Sequence, residues 1–423
     1  LAGISDDGLL YTPASSVQGL VSDRGYEAAN EDYTEPCANA RMILAMMYRH
    51  QMDKDAAWLE RIRKTVAGLA KMAQYKDDYA YFPEGGATSE FAYLKHSGYK
   101  DASEPQREHV GPEGSVFDNV NHPVRALSQW YQMSGDEGAL DLAGKVTRWL
   151  LKPNYWVESG DIDVVRPERA HWDGHFHAHT ITFRSLLWYA EVTHDLRLKE
   201  FVRSAYDYSR NFGLPRIGWF PSWIGARDIP TIAETISYKK QCEACLLGNM
   251  VALAIKLSDG SQGDYWDDVD GYVRNQLVEQ QYTDPEIIKK GKQRIPAFAR
   301  DSIQEQSWMK REYLGAFCGE ADVASISERC FSAAPCCAAN GALGLYYAWE
   351  SIVRCQDGSA QVNLLLNRAS PWLDVDSFLP YEGKVVIRNK AAKRVALRIP
   401  GWVPKQEVEA TVDDRRASLF WAG

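Results

Sequence analysis

Two features are missing from this sequence, and each removes a class of function. No stretch approaches the ~18 apolar residues of a membrane span. No cluster of lysine and arginine stands out and the formal net charge is −9, so the basic stripe of a nucleic-acid binder is absent. Neither a membrane nor a nucleic acid is therefore expected as a partner. The chain opens at Leu1 without a charged n-region or an apolar h-region, and whether a signal peptide precedes it stays open. Cysteine is scarce too: of eight in 423 residues, all but Cys37 lie from 242 to 355. A chain of this size does not need disulfide staples, so such clustering points to a metal site or to reactive thiols.

Aromatic residues are plentiful, with 14 Trp and 22 Tyr. They supply large cores as well as the flat walls on which sugar rings stack. Up to about residue 355 the sequence reads as helices joined by turns. "RALSQWYQMSGD" (125–136) and "RSLLWYAEVTHD" (184–195) share a pattern of Arg, an apolar-aromatic stripe and a polar stop ending in Asp. An amphipathic segment follows each. Looser copies open at residues 41, 248 and 341, a spacing suited to a helical hairpin plus a loop. Repeated hairpins either stack as a solenoid or close into a toroid. Long loops such as "GWFPSWIGARDIP" (218–230) suit a barrel whose mouth holds a site. The expected fold is mostly α, an (α/α)6 barrel over residues 1–357. After 357, "QVNLLLNRASPWLDVDSF", "GKVVIRNK" and "RVALRIPGWV" are short runs split by turn residues. A C-terminal β-sandwich is expected over 358–423, incomplete at its end.

Two segments carry candidate chemistry: "KKQCEACLLGNM" (239–250) and "AAPCCAANG" (333–341). The adjacent Cys336 and Cys337 are poor disulfide partners for each other, because the bridge strains the peptide between them. With Cys242 and Cys245 they offer four thiolates for a tetrahedral zinc, and Glu243 is an alternative oxygen ligand. A lone cysteine in this position would read as core; two pairs leading into helices favour metal or catalysis. "HWDGHFHAHT" (171–180) adds four of the nine histidines. Read as an extended segment, it would turn His175, His177 and His179 to one side. Trp172, Trp219 and Trp223 sit in similar loops. "GDYWDDVD" (263–270) lacks the Glu and Gly of an EF-hand and reads instead as an acidic helix start.

The segments "CEACLLGNMVALAIKLSDGSQGDYWDDVDGYVRNQL" and "CCAANGALGLYYAWESIV" resemble the β-L-arabinofuranosidases of glycoside hydrolase family 127. "HAHTITFRSLLWYAEVTHD" and "VALRIPGWV" are similar to further motifs of that family, so the resemblance runs over roughly residues 120–403. It implies a toroid followed by β-sandwich modules, an oligosaccharide or glycoside substrate, and a zinc held by Glu243, Cys245, Cys336 and Cys337. Cys336 is the implied nucleophile, and Cys242 drops out of the ligand set. A thiolate attacking the anomeric carbon would give retention in two steps, as a carboxylate does in retaining glycosidases. His177 and His179 are the implied sugar contacts, and Trp223 is a candidate stacking platform.

The sequence departs from the family pattern at the general acid. A Gly-Glu-x-Phe stretch is expected, and the chain reads "IGARDIPTIAETISYKKQCE". Glu234 is the chosen substitute, because Glu has the longer reach; Asp228 and Glu320 are the alternatives. Other classes stay open: a polysaccharide lyase or sugar epimerase with His/Tyr chemistry and a structural zinc, or a non-catalytic carbohydrate-binding protein. A homodimer through the β region is a further expectation. Free thiols favour a reducing cytoplasm, whereas zinc ligation would protect them in a secreted or periplasmic setting.

Overall fold

The computed structural model describes residues 4–14, 31–83, 91–99, 103–105, 116–152, 174–225, 241–287, 314–323 and 335–421. Helices come in hairpins: α1 (Pro36–Asp53) with α2 (Ala57–Met72), α3 (Val116–Ser134) with α4 (Glu137–Leu150), α5 (Phe176–Val192) with α6 (Leu196–Ser209), and α7 (Ala244–Asp259) with α8 (Trp266–Tyr272). A further long helix, α9, spans Pro335–Ser351. The odd-numbered helices pack in succession, α1 on α3, α3 on α5, α5 on α7 and α7 on α9. Each even-numbered helix lies on its predecessor. This inner ring backed by outer helices is the α/α toroid that the repeats predict.

The repeat pattern has a physical basis in its last residue. Asp136 is the N-cap of α4, its carboxylate accepting from Ala139 N at 3.1 Å. Asp195 does the same for α6 through Leu198 N at 3.0 Å. Each such cap is worth about 1 kcal/mol. The aspartate that ends one stripe therefore starts the outer helix of the same hairpin. Inner helices carry little polar surface. In α7, every residue from Ala244 to Leu257 except Lys256 is buried, as expected of a helix apolar on all sides.

Two of the inner helices approach at backbone contact. A Cβ placed on Gly248 of α7 would lie 2.4 Å from the Asn340 carbonyl oxygen of α9. One on Gly344 of α9 would lie 2.8 Å from the Gly248 Cα. Glycine at both positions allows the N-terminal turns of α7 and α9 to sit side by side, which matters for the cysteines they carry.

The last helix ends at Ser351 and the strands begin at Val353, so the change of texture expected at 358 occurs a few residues earlier. Two three-stranded sheets follow. In one, Ser359–Val362 is central, antiparallel to Val353–Gln356 and parallel to Arg394–Leu397. In the other, Leu373–Ser377 pairs with Arg368–Ala369 and with Val385–Asn389. The acidic stretch 263–270 is the start of α8 rather than a calcium loop, and it anchors this β region. Asp264 and Asp267 both bind Arg398, with N–O distances of 3.0 and 2.8 Å, and Asp267 also accepts from Gly401 N at 3.0 Å.

The Gly248 contact predicts a specific failure. Gly248→Ala should destabilise the protein by about 1–3 kcal/mol through overpacking, read as a lower urea midpoint. A comparable alanine at the open Gly135 position, where a Cβ meets nothing within 4 Å, should cost only the strain of its positive φ of 72°.

Candidate functional site

Three inner helices begin at one place. Phe176 opens α5, Ala244 opens α7 and Pro335 opens α9; a proline suits the first helical turn, where its missing N–H is not needed. Each helix brings side chains from its first turn: His177 from α5, Cys245 from α7, Cys336 and Cys337 from α9. Just ahead of α7, the two-residue strand Cys242–Glu243 pairs antiparallel with Glu320–Ala321 and delivers Glu243. Helix N-termini carry partial positive charge, which favours thiolates and carboxylates.

The ligand atoms of Glu243, Cys245, Cys336 and Cys337 lie within 4.8 Å of one another. Cys336 Sγ is 3.9 Å from Cys337 Sγ, and Cys337 Sγ is 3.4 Å from Glu243 Oε1. Four donors at this spacing could hold a metal ion. Cys242, the alternative fourth ligand, is outside the group. Its thiol is fully buried and lies 3.9 Å from the Gly218 carbonyl oxygen. Burial pushes it up to about 12.

The protein holds these groups from behind. His175 Nε2 donates to Glu243 Oε2 at 2.6 Å, and the His175 ring stacks on Trp223, with centroids 5.6 Å apart and planes at 16°. Burial acts to raise the Glu243 carboxyl, yet the charge and hydrogen bond of His175 outweigh it and leave the group below the usual carboxylate range. On α7, Asn249 receives Arg184 Nη1 on its Oδ1 at 3.2 Å, which fixes the amide so that Nδ2 faces the site. That Nδ2 donates to the Cys245 carbonyl oxygen and to His177 Nδ1, each at 3.1 Å. Asn340 Nδ2 donates to Cys245 Sγ at 3.2 Å.

The three thiols are not equivalent. Cys245 and Cys337 are buried, while Cys336 is exposed. Hydrogen bonds from the Cys245 and Cys337 thiols hold Cys336 far below the ordinary thiol range. Its neighbours are pushed up because they keep the protons that it loses. Of the three sulfurs, the accessible one is thus the thiolate, and only thiolates are nucleophilic.

The histidine segment differs from the extended reading. Its helix starts at Phe176, so His177 and His179 rise along the first turn of α5 while His175 stays in a strand paired with Ile224 and Trp223. The Ser222 carbonyl oxygen accepts from Phe176 N and sets this start. His177 and His179 are buried, at 4% and 0% exposure, and Trp223 is at 6%. His179 Nδ1 lies 3.2 Å from the His175 carbonyl oxygen. Sequence reasoning placed His175 only on a wall of histidines and gave no role to Asn249 or Asn340. For these two the signal available was their spacing of one helical turn from Cys245 and from Cys336. Glu234, Asp228 and Trp172 lie outside the described residues; Glu320 sits on the backbone directly across from Glu243.

Metal-free protein should therefore alkylate selectively. Iodoacetamide at pH 6 should modify Cys336 first, because ordinary thiols near pKa 8.5 are then almost fully protonated. A group with a depressed pKa remains reactive until the pH falls through that lower value. Peptide mass spectrometry showing Cys355 labelled ahead of Cys336 would contradict this.

No family model matches the sequence, and neither does any curated protein. Solved structures do match in fold. One is a β-L-arabinofuranosidase of glycoside hydrolase family 127 from Geobacillus stearothermophilus T6, at 13% identity and a TM-score of 0.56, covering 98% of this chain and 62% of that one. Another is a family 127 β-arabinofuranosidase, also 13% identical, with a TM-score of 0.55 and coverage of 91% and 55%. The chain thus spans between half and two thirds of the length of these proteins. With its inner ring of helices, its trailing β region and these structural matches, the chain has the fold of the family 127 β-arabinofuranosidases.

Proposed function

We propose that the chain is a divergent relative of the family 127 enzymes and acts as a retaining glycoside hydrolase, with Cys336 as nucleophile. The proposed substrate is a furanoside such as a β-L-arabinofuranoside. The observation that carries this reading is the pairing of a Glu-Cys-Cys-Cys cluster with one exposed sulfur of depressed pKa.

The donor set fits zinc. Zinc–sulfur bonds of about 2.3 Å and zinc–oxygen bonds of about 2.0 Å, at tetrahedral angles, imply sulfurs about 3.8 Å apart and a sulfur–oxygen distance of about 3.5 Å. The corresponding distances are 3.9 and 3.4 Å. Glu243, Cys245, Cys336 and Cys337 would hold the ion, which would supply a fixed positive charge that keeps the thiols deprotonated at neutral pH. His175 orients Glu243, and Asn340 steadies Cys245.

In the first step Cys336 Sγ forms a bond to the anomeric carbon as the glycosidic C–O bond breaks, and a carboxylic acid gives its proton to the departing oxygen. In the second, water gives its hydroxyl to the anomeric carbon and its proton to that carboxylate, and the Cys336 thiolate leaves. Two displacements at one carbon return the original configuration. His177, next to Cys336, is the proposed sugar-hydroxyl contact, with His179 and Trp223 shaping the wall behind it. The proposed proton donor is Glu234, with Asp228 and Glu320 as the alternatives.

The test combines metal analysis with hydrolysis of a panel of aryl glycosides. One zinc per chain should persist in Cys242→Ser and fall in Glu243→Gln. Cys336→Ser should abolish p-nitrophenol release. Turnover that survives Cys336→Ser would move the chemistry to the histidines, as in a lyase or epimerase. For the acid, whichever of Glu234→Gln, Asp228→Asn and Glu320→Gln removes it should lose about 10²–10⁴-fold on glycosides with poor leaving groups. The same variant should lose little on activated aryl glycosides.

A further inference from the structure

Behind the thiolate cluster, the interior of the inner ring carries positive charge with little to balance it. Arg125 of α3 and Arg184 of α5 are 9% and 8% exposed. The Nε of Arg125 is buried without a hydrogen-bond partner. Arg184 gives one N–H to the neutral Asn249 amide and lays its guanidinium 4.8 Å from the centroid of the Tyr347 ring of α9. Lys256 lies near both arginines, but Glu191 pairs with it. Arg41 of α1 contacts His122 Nε2 at 2.9 Å, an imidazole kept neutral by burial and by the surrounding arginines. Burial acts to raise the Tyr347 phenol, yet the fields of Arg184 and Arg125 and their hydrogen bonds to its oxygen bring it below its ordinary value.

Two guanidiniums buried side by side, hydrogen-bonded to the Tyr347 phenol and with no carboxylate ion pair among the described residues, are strongly unfavourable. Arginine forks match the two-point geometry of carboxylates, sulfates and phosphates. We propose that this cluster is an oxyanion site, in which Arg125 and Arg184 hold the anion, Arg41 adds charge and Tyr347 contributes its hydroxyl. On the α1 side Arg41 is exposed and Tyr48, near Arg125, is 53% exposed. On the other side Arg184, Asn249 and His177 form a hydrogen-bonded chain toward Cys336. The anion is either free in solution or an acidic group on the glycan. The proposal goes beyond the hydrolase reading, because a neutral arabinofuranoside carries no such group, and its test does not use turnover.

Calorimetric titration of the full chain with sodium sulfate, galacturonate and neutral arabinose, at ionic strength fixed with sodium chloride, separates the sources. The expected result is saturable binding of about one anion per chain, weakened roughly tenfold or more in Arg125→Gln and Arg184→Gln, with no binding of arabinose through this site. Sulfate and galacturonate competing with each other, or either one binding alone, supports the site; galacturonate alone assigns it to the glycan, and sulfate alone to a free ion. Neither binding, or binding unchanged in both variants, overturns it. Should the arginine variants fail to fold, two measurements remain. Tyr347→Phe should weaken binding severalfold while keeping the ring, and a selenate soak of wild-type crystals should place anomalous density between the two guanidiniums. Selenate absent from that position overturns the proposal.

Discussion

The contact between α7 and α9 is the constraint on which the site depends. Glu243 and Cys245 come from one helix start and Cys336 and Cys337 from another, 94 residues away in sequence between Glu243 and Cys337. They meet because Gly248 and Gly344 let two backbones touch where any side chain would intrude. Close approach fixes the separation of the two N-terminal turns, and the turns fix the separation of the sulfurs. A spacing of 3.9 Å between Cys336 and Cys337 follows from their adjacency. The 3.4 Å from Cys337 to Glu243 follows from the helix pair.

Electrostatics then ranks groups that look alike in sequence. Three thiols share one site, and the hydrogen bonds among them, with burial of the inner two adding to the effect, leave two with their protons while the accessible one loses its own. Glu243 shows the same competition: its surroundings alone would favour the protonated acid, and His175 reverses that. The ranking comes from neighbours on different elements. His175 in its strand acts on Glu243, Asn340 on α9 acts on Cys245 of α7, and Asn249 on α7 acts on His177 of α5.

Much of the architecture could be read from the residues. The Arg-to-Asp stripes marked the hairpins because their final aspartates are N-caps, a local signal that needs no tertiary context. The change to strands after residue 352 was visible for the same reason, although the start of the first strand was placed late. The four candidate ligands come together as the motif resemblance implied, whereas spacing alone left Cys242 and Glu243 undecided. Direction separates the two side chains: in a strand, neighbours face opposite sides, so Glu243 turns toward α9 and Cys242 toward Gly218. The histidines were read with strand periodicity because their number and spacing hide a helix start set by a hydrogen bond to distant Ser222. Nothing local marks Gly248 as a contact point, since its neighbour Asn340 is remote in sequence.

The wide sequence gap between the two halves of the ligand set gives the cluster a second physical effect. An ion bound by all four side chains would act as a clasp, closing a long loop of the chain at a single point and removing much of the freedom of the unfolded ensemble. Folding and metal supply would then be coupled. Newly made chains short of the ion would be the ones most open to proteolysis, so cellular abundance would track metal availability before any substrate is met.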